Sequence, residues 1–383
     1  MKDVVLVPCG TYGKEEVRDA MDRVLAPLGG LDWVTPGMTV AVKTNLVMGM
    51  KPERAGTTHP ALLAALTEKL LERGAKVVIG DSPGGVYNSI YVNRAYAVSG
   101  LKEAEEAGAE LNRDFSQVEA ENPEGKVLRE LTYTGYLDRA DAIVDFCKLK
   151  SHGMMGMSGA AKNMFGTIPG TMKPEYHFRF PDHDDFADML VDLDERFRPR
   201  LCLVDAVMAM EGNGPTAGTP RFLGFLGASR SPHALDQVCA GIIGLKEDDV
   251  PTLRAAKRRG LIPASAAELE VEGDPAAFAA EDFRLVSTPR SLLFRGEKNG
   301  LFGRAFSAFA GRVLRTRPQV KKEECVGCGV CRDTCPAKAI AIADGKAVID
   351  RSACIRCFCC QEFCPRGAMK VHRTLLARLA SGL

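Results

Sequence analysis

The residues with the most legible chemistry are cysteines near the C-terminus. Two runs, Cys325-x-x-Cys328-x-x-Cys331-x-x-x-Cys335-Pro336 and Cys354-x-x-Cys357-x-x-Cys360-x-x-x-Cys364-Pro365, repeat one spacing. Nine of the thirteen cysteines lie between Cys325 and Cys364. Three thiolates at two-residue gaps in a tight turn reach three corners of one iron–sulfur cube, and the fourth, after a short helical step, points to the partner cube. This rule assigns Cys325, Cys328, Cys331 and Cys364 to one [4Fe-4S] cluster, and Cys354, Cys357, Cys360 and Cys335 to a second. Structural zinc is the competing chemistry, because Cys-x-x-Cys pairs also hold that ion, but zinc needs neither the third cysteine nor a repeated Cys-Pro ending. Cys359 is a ninth thiol, an alternative ligand or a buried bystander; the regular set of eight favours the bystander. Gly327 and Gly329 are small enough to let backbone amides approach the sulfurs.

The cysteine region resembles the bacterial two-cluster ferredoxins over about fifty residues. Between its two runs, AIAIADGKAVID (339–350) alternates apolar residues around Asp344-Gly345, a hairpin signal. Lys321 to Arg373 holds ten basic and six acidic residues. Soluble ferredoxin carriers often offer an acidic face to a reductase; this one does not, although the excess also offsets anionic clusters.

A second polar set follows four strand-like runs. Thr39–Val42 leads into Lys43-Thr44-Asn45, and KVVIG into Asp81-Ser82-Pro83-Gly84-Gly85. DAIVDFC leads into Lys148-Leu149-Lys150-Ser151-His152-Gly153, and RLCLV into Asp205 and then Glu211-Gly212-Asn213-Gly214-Pro215. Ligands of open parallel sheets bind beyond the carboxyl ends of strands, so a shared site is expected there, although Asp/Gly/Pro clusters also make ordinary turns. Ser151–Gly170 has five glycines, a helix start expected near Ser158, and Lys162-Asn163 one turn in. Free amides and the positive end of a helix dipole attract an anion, and Lys43, Lys150, His152 and Lys162 add charge. The alternative is a glycine-rich packing loop with solvated lysines.

The catalytic candidates are therefore Lys150, His152 and Lys43, with Lys150 or His152 supplying protons. Asn45, Asp81, Lys162, Asn163, Glu211 and Asn213 are candidates for binding a small anionic substrate or cofactor. No G-x-x-x-x-G-K-[ST], no G-x-G-x-x-G between strand and helix, and no flavin signature occurs, so ATP, NAD and flavin are not expected. His59 reads as a helix-entry residue. His177 and His183, near Asp182, Asp184 and Asp185, suggest a metal site or, more simply, a solvated acidic loop. Cys147 is a lowered-pKa thiol beside Lys148 or strand core, as Cys9, Cys202 and Cys239 are expected to be.

These side chains need a scaffold. Strand-like Val4–Val7, Thr39–Val42, 76–82, 141–149 and 200–207 alternate with helical 61–76, 186–197 and 229–245, the last capped by Ser229 or Ser231 with Pro232 at its start. The alternation predicts an α/β fold, an open and mostly parallel sheet covered by helices, followed by a small α+β two-cluster domain. The expected boundaries are an α/β domain over 1–297, a basic amphipathic connector over 298–320, the two-cluster domain over 321–373 and a helical tail over 374–383. In the connector, Phe302, Phe306, Phe309 and Val313 form a stripe that suits packing on a domain better than a membrane surface.

Composition narrows the class further. The chain has 383 residues, 46% hydrophobic and 26% charged, with a net charge of +1, which suits globular domains and excludes a general pull on nucleic acid. No run approaches the roughly eighteen apolar residues of a membrane span, and MKDVVLVPCG reads as a strand, not a signal peptide. A reducing cytoplasm is the expected compartment.

Six motifs carry a further resemblance: Lys43-x-Asn45, Thr58-His59-Pro60, Gly80–Gly84, Lys148–His152, Lys162-Asn163-x-Phe165-Gly166 and Glu211–Pro215. Over roughly residues 3–260 they resemble the domain of unknown function 362 family, with departures at Thr44, Ser151 and Cys147. The resemblance implies an α/β domain coupled to iron–sulfur chemistry and supplies no substrate. The leading expectation is an iron–sulfur oxidoreductase that takes electrons from an external low-potential protein, or returns them to one, and acts on an anionic substrate. The rival is a non-catalytic electron carrier or cluster-delivery protein that docks a partner through its α/β domain. An isomerase or binding protein with structural clusters ranks below both.

Overall fold

A computed structural model describes residues 2–286 and 317–372. In the first segment the strands are β1 (Val4–Pro8), β2 (Thr39–Lys43), β3 (Lys76–Gly80), β4 (Glu110–Leu111), β5 (Gln117–Glu121), β6 (Glu130–Thr134), β7 (Ala142–His152), β8 (Gly156–Ser158), β9 (Leu201–Glu211), β10 (Thr219–Ser229) and β11 (Val271–Glu272). All but the hairpin β5–β6 join one nine-stranded sheet of order β11-β1-β10-β9-β7-β2-β3-β4, with β8 folded back on β7. Neighbours from β9 to β4 are parallel, whereas β10 runs antiparallel between β1 and β9. The sheet is thus mostly parallel, as expected.

Its helices are α1 (Lys14–Leu25), α2 (Pro60–Glu72), α3 (Ser89–Val98), α4 (Lys102–Glu106), α5 (Ala160–Asn163), α6 (Lys173–Arg179), α7 (His183–Phe197), α8 (Pro232–Ile242) and α9 (Pro251–Arg258). They bury both faces of the sheet. Val40, Val42, Val144 and Phe146 pack in one core with α1 and α2, while Ala41 and Ile143 turn to the other side with α7, and Cys147, Cys202 and Val204 do so with α8. Strict alternation between two apolar layers explains why these strands read as continuous hydrophobic runs. Local chemistry sets the helix starts. His59 caps α2, accepting from the Ala61 amide at 3.3 Å with Pro60 in the first turn. Ser231 caps α8 ahead of Pro232, and Asp182 caps α7.

The structure corrects several expectations. The runs at 141–149 and 200–207 continue to His152 and Glu211, so Lys148–His152 is strand and not loop. β8 supplies the pairing, with Lys150 opposite Ser158 and His152 opposite Gly156. β10 and the β5–β6 hairpin were not foreseen; β10 is interrupted by a bulge between Phe222 and Phe225, where Gly224 has φ 75°.

The second segment contains β12 (Arg317–Val320), α10 (Val330–Asp333), β13 (Ile340–Ala343), β14 (Lys346–Ile349), α11 (Cys359–Glu362) and β15 (Met369–His372). β12 pairs antiparallel with β15, so Arg317–Val320, assigned above to the connector, belongs to the small domain. β13 and β14 form the expected hairpin, with Asp344 at φ 50° and Gly345 at φ 68°, as a tight two-residue turn requires. The phenylalanine stripe of the connector and the helical tail lie outside the described residues.

Candidate functional site

At the carboxyl ends of β2 and β3, beside β8, lies a cleft of about 520 Å³. Lys43, Asn45, Asp81, Lys162, Asn163 and Lys173 line it, with Phe165, Gly166, Glu362 and Phe363 among the residues completing the wall. Lys43 Nζ spends all three donors, on Asp81 Oδ1 at 2.7 Å, the Thr44 carbonyl at 2.7 Å and Asn163 Oδ1 at 3.3 Å. Asp81 Oδ2 accepts from the Leu46 amide at 2.7 Å. A buried ion pair survives when both partners are hydrogen-bonded further, as here. Gly166 is required beside it, since a Cβ there would overlap Lys43 and Asp81.

A relay of amides runs behind this pair. Asn45 Nδ2 donates to Asn163 Oδ1 at 2.8 Å, and Asn163 Nδ2 donates to Asp145 Oδ1 at 2.5 Å and to the Lys43 carbonyl at 3.1 Å. Burial raises Asp145 well above the usual carboxylate range. Lys150 Nζ donates to Asn45 Oδ1 at 2.7 Å and to the Gly56 carbonyl at 2.8 Å. Burial, helped by the charges of Lys162 and Lys148, pushes Lys150 down to about 7. Lys150 therefore stands one hydrogen bond behind the cleft wall. Lys173, which the sequence reading missed, donates to the Ser82 carbonyl and is lowered by burial to about 8. Lys162 is half-buried 5.5 Å from the centre of the Phe165 ring, and its ammonium meets no acceptor among the described residues.

The glycine-rich approach to α5 does not serve a ligand. α5 starts at Ala160, not near Ser158, and the Ala160 and Ala161 amides donate to the Asp236 carboxylate on α8 at 2.7 and 3.1 Å. The chain's own carboxyl group fills that terminus, and a Cβ at Gly159 would overlap Asp236. The positive charge of the cleft comes from lysines on three separate elements instead.

One wall belongs to the small domain. His152 Nδ1 accepts from the Met154 and Met155 amides, both at 3.1 Å, which leaves its proton on Nε2, and Nε2 donates to Glu362 Oε1 at 2.7 Å. Burial lowers His152 to about 4. For Glu362, burial acts upward but is outweighed by the Lys162 charge and the His152 hydrogen bond, which hold it well below the usual carboxylate range. Gln361 Nε2 donates to the Asn213 and Gly214 carbonyls at 3.0 and 2.9 Å. Asn213 answers by accepting from the Val371 amide at 3.0 Å and donating to the Met369 carbonyl at 3.3 Å. Phe358 is buried in the cluster of Met154, Phe165 and Phe186. His152 and Asn213 thus fasten the domains together and do not line the cleft. Glu211 is also elsewhere, paired with Arg284 Nε at 2.7 Å.

The thiols divide as their spacing requires. Cys325, Cys328, Cys331 and Cys364 line one hollow of about 350 Å³. Cys335, Cys354, Cys357 and Cys360 line another of about 320 Å³, together with Cys359. Backbone amides aim at the sulfurs: Ala339 at Cys335 and Ala368 at Cys364, both at 3.2 Å, and Ala347 at Cys325 at 3.5 Å. Four soft donors around each hollow, partly solvated by amides, fit a four-iron cube.

The remaining candidates are structural. His177 stacks on Phe186 with ring centroids 4.4 Å apart and His183 begins α7; the solvated loop expected at 182–185 is a capped helix start. Cys147, Cys9, Cys202 and Cys239 are buried core, and burial pushes all four thiols up, so Cys147 is not activated. Lys148 pairs with Asp205 at 2.7 Å and donates to Tyr12 Oη at 3.0 Å.

Comparison with known proteins places this architecture. Residues 317–365 match a 4Fe-4S dicluster domain, which assigns iron–sulfur electron transfer to the small domain. The thylakoid-associated protein sll1697 of Synechocystis sp. is 34% identical over 272 residues, covering 70% of this chain and 83% of its own length. Two solved structures are more distant. The lactate racemase apoprotein of Thermoanaerobacterium thermosaccharolyticum aligns with 60% of this chain and 54% of its own at 14% identity and a TM-score of 0.37. A Thermotoga maritima protein aligns with 57% of this chain and 56% of its own at 12% identity and a TM-score of 0.34, so this chain spans little more than half of either. Among the described residues no helix is long and apolar enough to cross a membrane. Residues 40–241 match the family described as Domain of unknown function (DUF362), and the chain belongs to that family.

Proposed function

We propose that the protein is an iron–sulfur oxidoreductase that passes electrons through two [4Fe-4S] clusters to a small anionic substrate in the strand-end cleft. One observation carries this reading: Glu362 and Phe363, which wall the cleft, lie in the chain between Cys360 and Cys364, which line the two thiol hollows. Clusters held by Cys325, Cys328, Cys331 and Cys364 and by Cys354, Cys357, Cys360 and Cys335 would supply one-electron transfer. The chain's own residues do the rest. Lys162, whose ammonium meets no acceptor among the described residues, binds the anion, with Lys43 and Lys173 adding to the field. Asn45, Asp81 and Asn163 hold the lysines in place, and Glu362 keeps the anion from occupying the whole cleft. The accompanying proton comes from Lys150 behind Asn45 or from Lys173 at the wall, both close to neutrality; His152, holding its one proton against Glu362, positions the domains.

The external donor docks at the first hollow, where Cys328 and Val326 are exposed. The unpaired core thiols Cys9, Cys147, Cys202 and Cys239 suit a reducing compartment, the cytoplasm. The test uses anaerobically reduced, reconstituted protein mixed with small carboxylates and phosphate esters, following cluster reoxidation optically. A subset should reoxidise it, and Lys162→Ala should weaken their apparent affinity about tenfold or more, as loss of a charged hydrogen bond does, while cluster spectra stay intact. Reoxidation by no small anion, or indifference to Lys162→Ala, would favour the carrier that docks a partner.

A further inference from the structure

The second hollow has one thiol too many, and it is not placed like a core cysteine. Cys359 is buried at 1% exposure and shares the wall with Cys335, Cys354, Cys357 and Cys360. Cys359 and Cys357 stand two residues apart on the wall of that one hollow. Cys147, Cys202 and Cys239, by contrast, pack inside an apolar cluster. The two motifs superpose in sequence, Cys328-Gly329-Val330-Cys331 on Cys357-Phe358-Cys359-Cys360, so the position equivalent to Cys359 in the first hollow is Val330, which lines that hollow too. An aliphatic side chain therefore suffices for packing at this point of the motif. A thiol placed there adds a soft donor beside an existing one.

We propose that Cys359 is a reserve ligand of the second cluster, taking over the iron held by Cys357 when that sulfur is lost or chemically blocked. This rests on the cluster assignment made above. In the exchange with an intact Cys357, one iron–sulfur bond to Cys357 breaks and one to Cys359 forms. The proton released by Cys359 passes to the freed Cys357 thiolate next to it, so neither the charge nor the electron count of the site changes. When Cys357 is absent, its neighbour closes the same coordination and releases its proton to solvent.

The experiment counts iron and records low-temperature electron paramagnetic resonance of the reduced, reconstituted full chain. The unaltered chain should hold about eight irons, two cubes of four; much less iron would overturn the cluster assignment itself. With that assignment standing, Cys357→Ala should keep about eight, Cys359→Ala about eight, and Cys357→Ala/Cys359→Ala about four. Cys335→Ala, which has no spare thiol as neighbour, should also fall to about four. A Cys357→Ala protein with only the first cluster would overturn the proposal, and so would loss of iron in Cys359→Ala alone. Should Cys357→Ala fail to fold, the first hollow gives the same answer: Val330→Cys should restore to Cys328→Ala the cluster that Cys328→Ala lacks, and failure to restore it overturns the proposal.

Discussion

Lys150 and Lys173 are buried ammoniums whose hydrogen-bond acceptors are an amide and carbonyls, not carboxylates, and that sets their behaviour. Both are bases lowered from 10.5, to about 7 and about 8. Between those values and 10.5 the unfolded chain binds more protons than the folded one, so stability rises with pH across that window; below about 7 the burial cost is fully present. Nitrogen-15 NMR of labelled lysine side chains should show two titrations well below the rest, and Lys150→Arg should abolish the lower while leaving the other. Lysines that all titrate above about 10 would refute the burial argument. At this scale much of the site was readable. Cysteine spacing, Lys43, Asn45, Lys162 and Asn163 announce themselves by type and position. Glu362 did not, because a single glutamate between cysteines in a second domain carries no signal that it will meet His152.

Elements were legible where local chemistry decides them and obscure where distant partners do. Ser231, Pro232 and Asp344-Gly345 act on their own neighbours, so α8 and the β13–β14 turn followed from sequence. The end of β7 did not, since Lys148, Lys150 and His152 look like loop until Asp205, Asn45 and Glu362 satisfy them across the fold. α5 is similar: it presents Lys162 and Asn163 only because Asp236 caps it from α8. Asp236→Ala should leave two buried amides unpaired, costing about 2–4 kcal/mol in urea unfolding; an unchanged midpoint would show that the helix start needs no carboxyl group. In the second cysteine motif, Arg356 and Phe358 have φ 59° and 62°, where the first motif uses Gly327 and Gly329 at 67° and 83°. Left-handed backbone costs a non-glycine residue roughly 1–2 kcal/mol. Phe358→Gly should nonetheless lower the melting temperature of the small domain, because losing a buried aromatic costs about 3–5 kcal/mol and outweighs the relieved backbone.

The two domains act as one device only if they remain in contact, and the contact is built on missing side chains. Gly84, in the loop after β3, faces the Phe363 ring so closely that a Cβ would overlap it, and a Cβ at Gly153 would crowd Val371. Gly84 does not have a left-handed φ, so its backbone accepts a side chain, and the three atoms nearest a Cβ there all belong to the Phe363 ring. Gly84→Val should push the cysteine-bearing segment off the cleft while leaving both thiol hollows and the sheet intact. Cluster absorbance and paramagnetic spectra should then match the unaltered protein, and reoxidation by a cleft-bound anion should slow about 10²-fold, the penalty typical of an ångström-scale misplacement. Reoxidation by a large artificial oxidant, which meets the exposed side near Cys328, should be unaffected. Phe363→Ala removes the ring that the introduced isopropyl group would strike, so adding it to Gly84→Val should recover most of the lost rate. Equal rates in Gly84→Val and the unaltered chain would mean that electrons leave the small domain by another face, and the closed cleft would then be a docking surface and not a site of reduction.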